Sequence, residues 1–177
     1  MVRVLDELPT TTPQLSKTRE RRLRITGLVQ KQLELTVEDV KKLPSETVSF
    51  DFECVEGWVV RGTEWEGVKV STLLHMAGPG PEARYAVFKS GNYTECVPLS
   101  DTGEMVVAYR YRGQDISHER GGPLRLVFPS QKCYQSVKWL EEVELTRDRV
   151  EGTAEKVALG RISQTYGWEA RPTDLQQ

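Results

Sequence analysis

Apolar and polar residues alternate from Val48 to Cys54 in the stretch VSFDFEC, and this feature constrains the fold more than any other. A period of two predicts a β-strand with one face buried and one face in water. Cys54 falls on the apolar face, and Glu56 and Gly57 mark a turn directly after it. The pattern therefore predicts a half-buried strand that ends at a cysteine.

The Cys54 thiol has two interpretations at this point. A free cysteine packs as a small hydrophobic residue and is among the residues most often buried, which favours a core role. A cysteine at a strand end beside a tight turn, flanked by polar Glu53 and Glu56, can instead face a cavity. A thiolate in that position is a soft ligand, suited to a metal ion.

The composition is that of one domain with a substantial core, because 38% of the 177 residues are hydrophobic. A net charge of -2, from 24 basic and 26 acidic residues, gives no field that would attract nucleic acid or a membrane surface. The basic run KTRERRLR at 17–24 is interpreted as a solvated face. No apolar run approaches the length of a membrane span.

The cysteines and the N-terminal residues are used to predict the cellular compartment of the protein. Three widely spaced cysteines do not form a disulfide framework, which favours a reducing environment or a chain that needs no disulfides. The first residues show no apolar signal-peptide core. We therefore expect a cytoplasmic protein, or a periplasmic one if a leader precedes this sequence.

Three parts are predicted along the chain: an extended arm at 1–20, a domain at 21–146 and a C-terminal extension at 147–177. Thr36 can cap a short helix at 37–42, and Ser71 can cap a second one that runs through Met76. The remaining apolar stretches predict strands at 23–29, 32–35, 47–54, 85–89, 93–97, 105–111, 124–128 and 137–145. Many short strands with few short helices predict an α+β fold rather than regular βαβ units. The charged, weakly patterned extension is interpreted as surface or as an oligomer contact.

Searches for common motifs narrow the chemistry. The sequence has no phosphate-binding P-loop, no G-x-G-x-x-G, no G-x-S-x-G and no H-E-x-x-H. Zinc is disfavoured, since the candidate donors are not paired at the spacing of structural sites; these donors are Cys54, His75, Cys96, His118 and Cys133.

Three segments together change the interpretation of Cys54. They are FECVEGW around Cys54, VVAYRYRGQDISHERGGPLRLVFPS at 106–130, and SVKWLEEVEL at 136–145. In order and separation they resemble the molybdopterin-binding domain of the sulfite oxidase family, over roughly residues 23–146. The resemblance implies that family's α+β fold with mixed sheets and short helices, and a molybdenum-molybdopterin (Mo) cofactor. It also implies that Cys54 is the thiolate ligand of the metal.

The resemblance assigns further residues to the cofactor. The arginine of a G-x-P-x-R pattern, here Arg125, and the lysine of a V-K-W-L pattern, here Lys138, contact the pterin and its phosphate in that family. These roles agree with the chemistry, because an anion with a phosphate group suits a guanidinium fork, an ammonium group and nearby backbone donors such as Ser136 and Val137. Burying Arg125 without an anionic partner would be costly. The alternative is an exposed arginine or a simple salt bridge.

Three more positions are weaker candidates. Arg120 stands where relatives carry a polar cofactor contact. Ser90 matches a position near the pterin in bacterial relatives, although a serine before Gly-Asn is also ordinary in turns. Tyr93 stands where sulfite oxidases place an active-site tyrosine, so it is a candidate catalytic residue whose phenol could hydrogen-bond an oxo ligand or a substrate oxygen; packing of the ring against the sheet is the alternative.

The sequence departs from sulfite oxidases directly after the cysteine. Those enzymes continue with A-G-N-R-R, whose arginine helps to bind a dianion, whereas this chain continues with V-E-G-W-V and has Trp58 at that arginine's position. The pattern C-V-E-x-W is similar to bacterial molybdoenzymes that reduce methionine sulfoxide in proteins. The resemblance therefore implies a molybdopterin-dependent oxidoreductase that transfers oxygen atoms, with reduction of an S-oxide as the first expectation.

Two alternatives stay open: oxidation of sulfite or another oxyanion, and a non-catalytic molybdopterin-binding module. With no C-x-x-C-H haem site and no cysteine cluster, we expect electrons to come from a separate electron-transfer protein. We also expect Cys54→Ser to alter the metal coordination grossly, and Cys96→Ser and Cys133→Ser to leave it intact.

Overall fold

Two mixed β-sheets form the framework of the computed structural model, which describes residues 2–11 and 21–166, with side chains described as far as Arg161. The strands in these residues are β1 Arg3–Leu5, β2 Arg22–Gly27, β3 Leu33–Thr36, β4 Glu46–Cys54, β5 Trp58–Lys69, β6 Tyr85–Ser90, β7 Tyr93–Pro98, β8 Val106–Tyr111, β9 Gln114–Asp115, β10 Arg125–Val127 and β11 Glu142–Thr146. The helices are α1 Val37–Lys41, α2 Val70–Ala77 and α3 Ala154–Tyr166.

The first sheet has the order β1-β5-β8-β10, with β4 paired to β5 and β9 paired to β8. β4 and β5 are antiparallel, and their register places Cys54 opposite Trp58. The alternation predicted for β4 is confirmed, since Phe52 is buried while Asp51 and Glu53 are exposed. The apolar face of this sheet packs around Phe52 and Trp65.

The second sheet has the order β3-β2-β11-β6-β7. Its core contains residues such as Ile25 and Phe88, and Val40 of α1 and Leu73 of α2 pack against them. The capping of α1 by Thr36 is confirmed: the Thr36 hydroxyl accepts from the N–H of Asp39 at 3.1 Å. The predicted cap of α2 is wrong, because the chain passes directly from β5 into the helix, and Lys69 rather than Ser71 is the N-cap.

The segment between β10 and β11, residues 128–141, carries the chain from the first sheet to the second. We call it the crossover segment. Its second half runs back along β10: the N–H of Leu126 donates to Val137 O at 3.0 Å, and the N–H of Leu140 donates to Leu124 O at 2.9 Å. A strand was predicted from residue 137 onward, but β11 begins only at Glu142, because Trp139 takes a left-handed conformation with φ of 53°.

The two ends of the chain are more structured than their patterns predict. Residues 3–5 of the arm form β1, which pairs in parallel with Trp58, Val59 and Val60 of β5. Helix α3 of the extension packs against β7 and the turn at Cys133–Gln135. Within the predicted arm and extension, residues 1, 12–20 and 167–177 lie outside the described residues, and the three-part division remains a prediction. No helix in the described part of the chain is long and apolar enough to cross a membrane.

Candidate active site

Two cysteine sulfurs lie side by side where β4 ends. Cys54 is the last residue of β4, Cys133 lies in a 3-10 turn of the crossover segment, and their Sγ atoms are 2.8 Å apart. Both are free thiols, and both are half-buried. The backbone amides of Val55 and Glu56 donate to Cys133 and Cys54 respectively. The turn after β4 therefore positions both sulfurs.

The two thiols influence each other's ionisation. The hydrogen bond between the two sulfurs lowers the pKa of Cys133 and raises the pKa of Cys54. Burial adds to the rise in the pKa of Cys54, since a thiolate loses hydration there. A metal ion bound to Cys54 must displace the thiol proton, because only the thiolate is a metal ligand.

Arg125 is a buried cation close to these sulfurs. Only 3% of its surface is exposed, and burial lowers the pKa of its guanidinium to about 10. Its Nε donates to the hydroxyl of Ser136 at 2.8 Å, and its Nη1 donates to the carbonyl of Arg120 at 2.9 Å. The rings of Phe52 and Trp65 lie 5.2 and 5.1 Å from its central carbon, which favours the cation. No carboxylate of the described residues pairs with it, so its charge is not neutralised by them.

Lys138 is a second cation at this site. Its Nζ donates to the hydroxyl of Thr11 at 2.5 Å, and its aliphatic part lies so close to Gly121 that a Cβ there would be 2.5 Å from Lys138 Cγ. Burial and the charge of Arg125 lower the pKa of Lys138 to about 8. Within residues 2–11 and 21–161, no carboxylate forms an ion pair with it. Arg125 and Lys138 are thus two cations with no carboxylate partner in the described part of the chain.

Two buried side-chain nitrogens in the loop before β10 lack a hydrogen-bond partner among the described residues. One is Nε of Arg120, which is a donor, and the other is Nε2 of His118, whose second ring nitrogen, Nδ1, lies 3.4 Å from the carbonyl oxygen of Gly122. The His118 ring lies beside Trp139 at 5.9 Å, and Trp139 follows Lys138 directly. The Arg120 guanidinium reaches Glu7 at 3.4 Å. Sequence reasoning missed His118 as a site residue, although it lies in the same H-E-R-G-G stretch as Arg120.

These donors form a set that fits molybdopterin. A phosphate-bearing anion would neutralise Arg125 and Lys138 and would accept from buried N–H groups, and a soft thiolate at Cys54 would bind the metal. An isolated charge or an unpaired donor in a protein interior is unfavourable. The observed burial is therefore explained if an anionic ligand belongs there.

Ser136 and Val137 take part in the site through the chain itself. The Ser136 hydroxyl accepts from Arg125 and donates to the carbonyl of Leu126 at 2.8 Å, which fixes the guanidinium. The N–H of Ser136 donates to Cys133 O, and the N–H of Val137 donates to Gln135 O, so both backbone donors are engaged here. The Val137 side chain lies in the core. Their contact with a phosphate remains a prediction.

Tyr93 and Ser90 lie at the tip of the β6–β7 hairpin, paired with each other across it. The Tyr93 hydroxyl donates to the carbonyl of Tyr134, the residue after Cys133, and burial raises the pKa of Tyr93. Its only O–H donor is therefore used to fix the crossover segment. Ser90 is buried, with 8% exposure, and the roles of both residues toward cofactor or substrate remain predictions.

A carboxylate lies beside the thiol of Cys54. The negative charge of Glu56 contributes to the raised pKa of Cys54, and Glu56 Oε2 lies 3.5 Å from Nε1 of Trp58. The Trp58 ring stacks on Phe52, with ring centres 6.1 Å apart and planes 11° from parallel. Nη1 of Arg61 instead donates to Oδ2 of exposed Asp51 at 2.6 Å. The turn after β4 therefore presents an indole and a negative charge.

Comparison with known proteins agrees with this chemistry. Residues 9–154 match the family described as oxidoreductase molybdopterin binding domain. The chain is 33% identical to an uncharacterised oxidoreductase of Bacillus subtilis, over 76% of this chain and 69% of that protein. It is 27% identical to the catalytic subunit of a protein-methionine-sulfoxide reductase of Campylobacter jejuni, over 77% of this chain and 52% of that subunit. It is 24% identical to the sulfite oxidase of Arabidopsis thaliana, over 72% of this chain and 42% of that enzyme.

A solved structure supports the fold. The sulfane dehydrogenase of Paracoccus pantotrophus superposes with a TM-score of 0.74 at 25% identity, over 85% of this chain and 47% of the other. The predicted α+β fold of the sulfite oxidase type is thereby confirmed. The chain spans about half the length of the methionine-sulfoxide reductase subunit and of the sulfane dehydrogenase chain.

Proposed function

The chain belongs to the oxidoreductase molybdopterin-binding domain family, and we propose that it reduces a neutral S-oxide by oxygen-atom transfer. When bound, molybdenum-molybdopterin supplies the two-electron oxygen-atom chemistry. The protein's own residues hold the cofactor, exclude water and select the substrate. Cys54 provides the metal ligand, and Arg125 and Lys138 bind the phosphate.

The observation that carries the choice of substrate is the position of Trp58. Trp58 lies opposite Cys54 in the register of β4 and β5, and its apolar indole stacks on Phe52; the carboxylate of Glu56 also contributes to the raised pKa of the Cys54 thiol. A dianion such as sulfite would have to shed its hydration and approach this carboxylate. A neutral S-oxide meets no such repulsion, and the indole can pack against its apolar groups.

Two further cations, Arg61 and Arg120, support the same choice. Arg125 and Lys138 are assigned to the cofactor, Arg61 is paired with Asp51, and Arg120 lies 3.4 Å from Glu7. An enzyme for an oxyanion would be expected to direct fixed positive charge at the substrate.

Steady-state kinetics on one cofactor-loaded preparation test the proposal. The reduced enzyme, with an artificial electron donor, is assayed on dimethyl sulfoxide and methionine sulfoxide; the oxidised enzyme, with an artificial acceptor, is assayed on sulfite at the same pH. We expect a higher kcat/KM for a sulfoxide than for sulfite. Efficient sulfite oxidation without sulfoxide turnover would contradict the proposal. A fully loaded protein that turns over neither class would identify a non-catalytic binding module instead.

The electron donor in this proposal is a separate electron-transfer protein. The proposal also retains the cytoplasmic location expected from the sequence. Subcellular fractionation of the source cells, followed by immunodetection of the chain, tests the location. Recovery of the protein in the periplasmic fraction would overturn it.

A further inference from the structure

We propose that Cys54 and Cys133 form a redox-active dithiol, which closes into a disulfide in the cofactor-free chain and withholds the metal ligand. The disulfide is inferred from the geometry of the two cysteines alone. Its effect on cofactor loading rests on the proposed function, because only there does Cys54 act as the ligand.

The first argument is geometric. The two residues are 79 positions apart in the sequence, yet their sulfurs are 2.8 Å apart. The S–S bond of a disulfide is about 2.05 Å long, so the sulfurs need to approach by less than an ångström. Turns hold both backbones in place, since Gly57 N–H donates to Cys54 O at 3.0 Å and Ser136 N–H donates to Cys133 O at 3.3 Å.

The second argument is selectivity within the chain. Cys54 and Cys133 are half-buried, so a small oxidant can reach them, whereas Cys96 is 8% exposed and lies inside β7. Each of the first two has a sulfur neighbour, and Cys96 has none among the described residues. Cys96 is therefore an internal control for oxidation that depends on pairing.

The chemistry balances with a small-molecule disulfide, such as oxidised glutathione, as the oxidant. The thiolate of one cysteine attacks this disulfide, forms a mixed disulfide and releases one glutathione thiolate. The second cysteine then attacks the protein sulfur, gives up its proton to solvent and releases the second glutathione. Two protein thiols are oxidised, and one glutathione disulfide is reduced to two thiols.

Formation of the disulfide would affect metal binding at Cys54. A cysteine binds a metal as a thiolate, and a sulfur in a disulfide no longer offers that charge. The oxidised chain therefore presents the cations Arg125 and Lys138 to the cofactor but withholds the ligand at Cys54. A dithiol reductant reopens the pair and restores the ligand.

The disulfide is tested on the full chain produced without cofactor. The protein is equilibrated with oxidised glutathione, alkylated and digested, and its peptides are analysed by mass spectrometry. We expect a linked peptide that contains Cys54 and Cys133, together with an alkylated Cys96. Cys96→Ser should give the same linked peptide, and Cys133→Ser should not. Glutathione adducts on separate cysteines, without the linked peptide, would overturn the proposal.

Cofactor loading is then measured on the same samples as bound molybdenum and extracted pterin. Oxidised wild type should load less than reduced wild type, and dithiothreitol should restore loading. In Cys133→Ser, any loss of loading on oxidation should match the fraction of Cys54 found as a glutathione adduct, whereas in wild type it should match the fraction found as the linked peptide. Equal loading of the oxidised and reduced wild type would overturn the gating step. A linked peptide in a chain that never loads, even when reduced, would contradict the proposed function and still support the dithiol.

Discussion

Burial and the neighbouring guanidinium of Arg125 lower the pKa of Lys138, and in the described part of the chain neither cation is paired with a carboxylate. Two like charges in a buried region repel each other and lose hydration, so this arrangement is unfavourable without an anion. The same arrangement becomes favourable when a phosphate lies between or beside the two groups. The two cations therefore favour the binding of an anionic cofactor.

Arg125→Ala and Lys138→Ala are expected to lower cofactor occupancy. Each removes a charge-assisted contact worth roughly 1.5 to 3 kcal/mol, which corresponds to roughly 10- to 150-fold weaker binding. Bound molybdenum and extracted pterin are measured on equal amounts of folded protein. Arg24→Ala is a matched control, because Arg24 forms an exposed salt bridge with Glu142 on the second sheet. Equal cofactor content in all four proteins would refute the assignment.

Cofactor retention is expected to depend on pH through Lys138. The pKa of Lys138 is lowered to about 8, so the ammonium is present below pH 8 and is lost as the pH rises above it. Binding of the phosphate should weaken between pH 7 and pH 9 for wild type and weaken less for Lys138→Arg, whose guanidinium stays charged. Dialysis at each pH, followed by metal analysis, measures this. Identical profiles for the two proteins would exclude Lys138 as the titrating group.

The stability of the cofactor-free chain should change in the opposite direction. The folded-state pKa of Lys138 lies below the unfolded value of about 10.4, so the unfolded chain binds more protons between these pH values. Lys138 therefore makes the free energy of unfolding rise as the pH increases from about 8 to about 10.4. Lys138→Met, which has no charge to lose, should lack this rise. Urea unfolding at several pH values compares the two proteins.

Local patterns explain which elements could be predicted from the sequence. The alternation in β4 and the Thr36 cap of α1 are encoded by neighbouring residues, and both were predicted correctly. Strand β5 was not predicted, because its apolar pattern is interrupted by Glu64, Glu66 and the glycines at 62 and 67. Strand β1 is three residues long and exists only by pairing with β5, so its own sequence carries no signal.

The residues of the candidate site likewise divide into those that local patterns predict and those that they do not. Cys54, Arg125 and Lys138 lie in motifs that could be recognised, and the structure brings them together. Replacement of Cys133 was expected to leave the metal coordination intact, as was replacement of Cys96. The structure distinguishes the two residues, since Cys133 contacts Cys54, whereas Cys96 is buried in β7. No local pattern encodes a contact between residues 79 positions apart. The contact arises because the crossover segment brings Cys133 next to the end of β4.

Cys54→Ser is expected to give a folded protein with grossly altered metal coordination and no turnover. A hydroxyl is a poor substitute for a soft thiolate ligand. X-ray absorption at the molybdenum edge should show one sulfur neighbour fewer, while circular dichroism stays unchanged. Cys96→Ser should keep both the coordination and the activity. Retention of the full sulfur coordination in Cys54→Ser would exclude this residue as the ligand.

Tyr93→Phe is expected to loosen the crossover segment next to Cys133. It removes the hydrogen bond to the Tyr134 carbonyl, and an unmade buried bond costs about 1–3 kcal/mol. Thermal unfolding of the cofactor-free protein measures this loss. If the phenol also acts on the substrate, kcat should fall in fully loaded enzyme as well. Unchanged stability with a reduced kcat would assign Tyr93 to catalysis alone.

Glu56→Gln is expected to reduce the difference in kcat/KM between neutral sulfoxides and sulfite. It removes a negative charge beside Cys54 and keeps the size of the side chain. Repulsion between unit charges 4 Å apart is about 1 kcal/mol in water, and sulfite carries two of them, so KM for sulfite should fall roughly several-fold. The kcat/KM for a neutral sulfoxide should change far less, because that substrate carries no charge.

Glu53→Gln is the matched control for this comparison, because Glu53 is exposed on the opposite face of β4 from Cys54. Raising the salt concentration should reduce the benefit of Glu56→Gln, since ions screen the repulsion that the substitution removes. Sulfite kinetics for wild type and both variants, at low and at high salt, complete the test. If Glu53→Gln improves sulfite oxidation as much as Glu56→Gln does, the overall charge of the protein, rather than the carboxylate beside Cys54, discriminates against the anion.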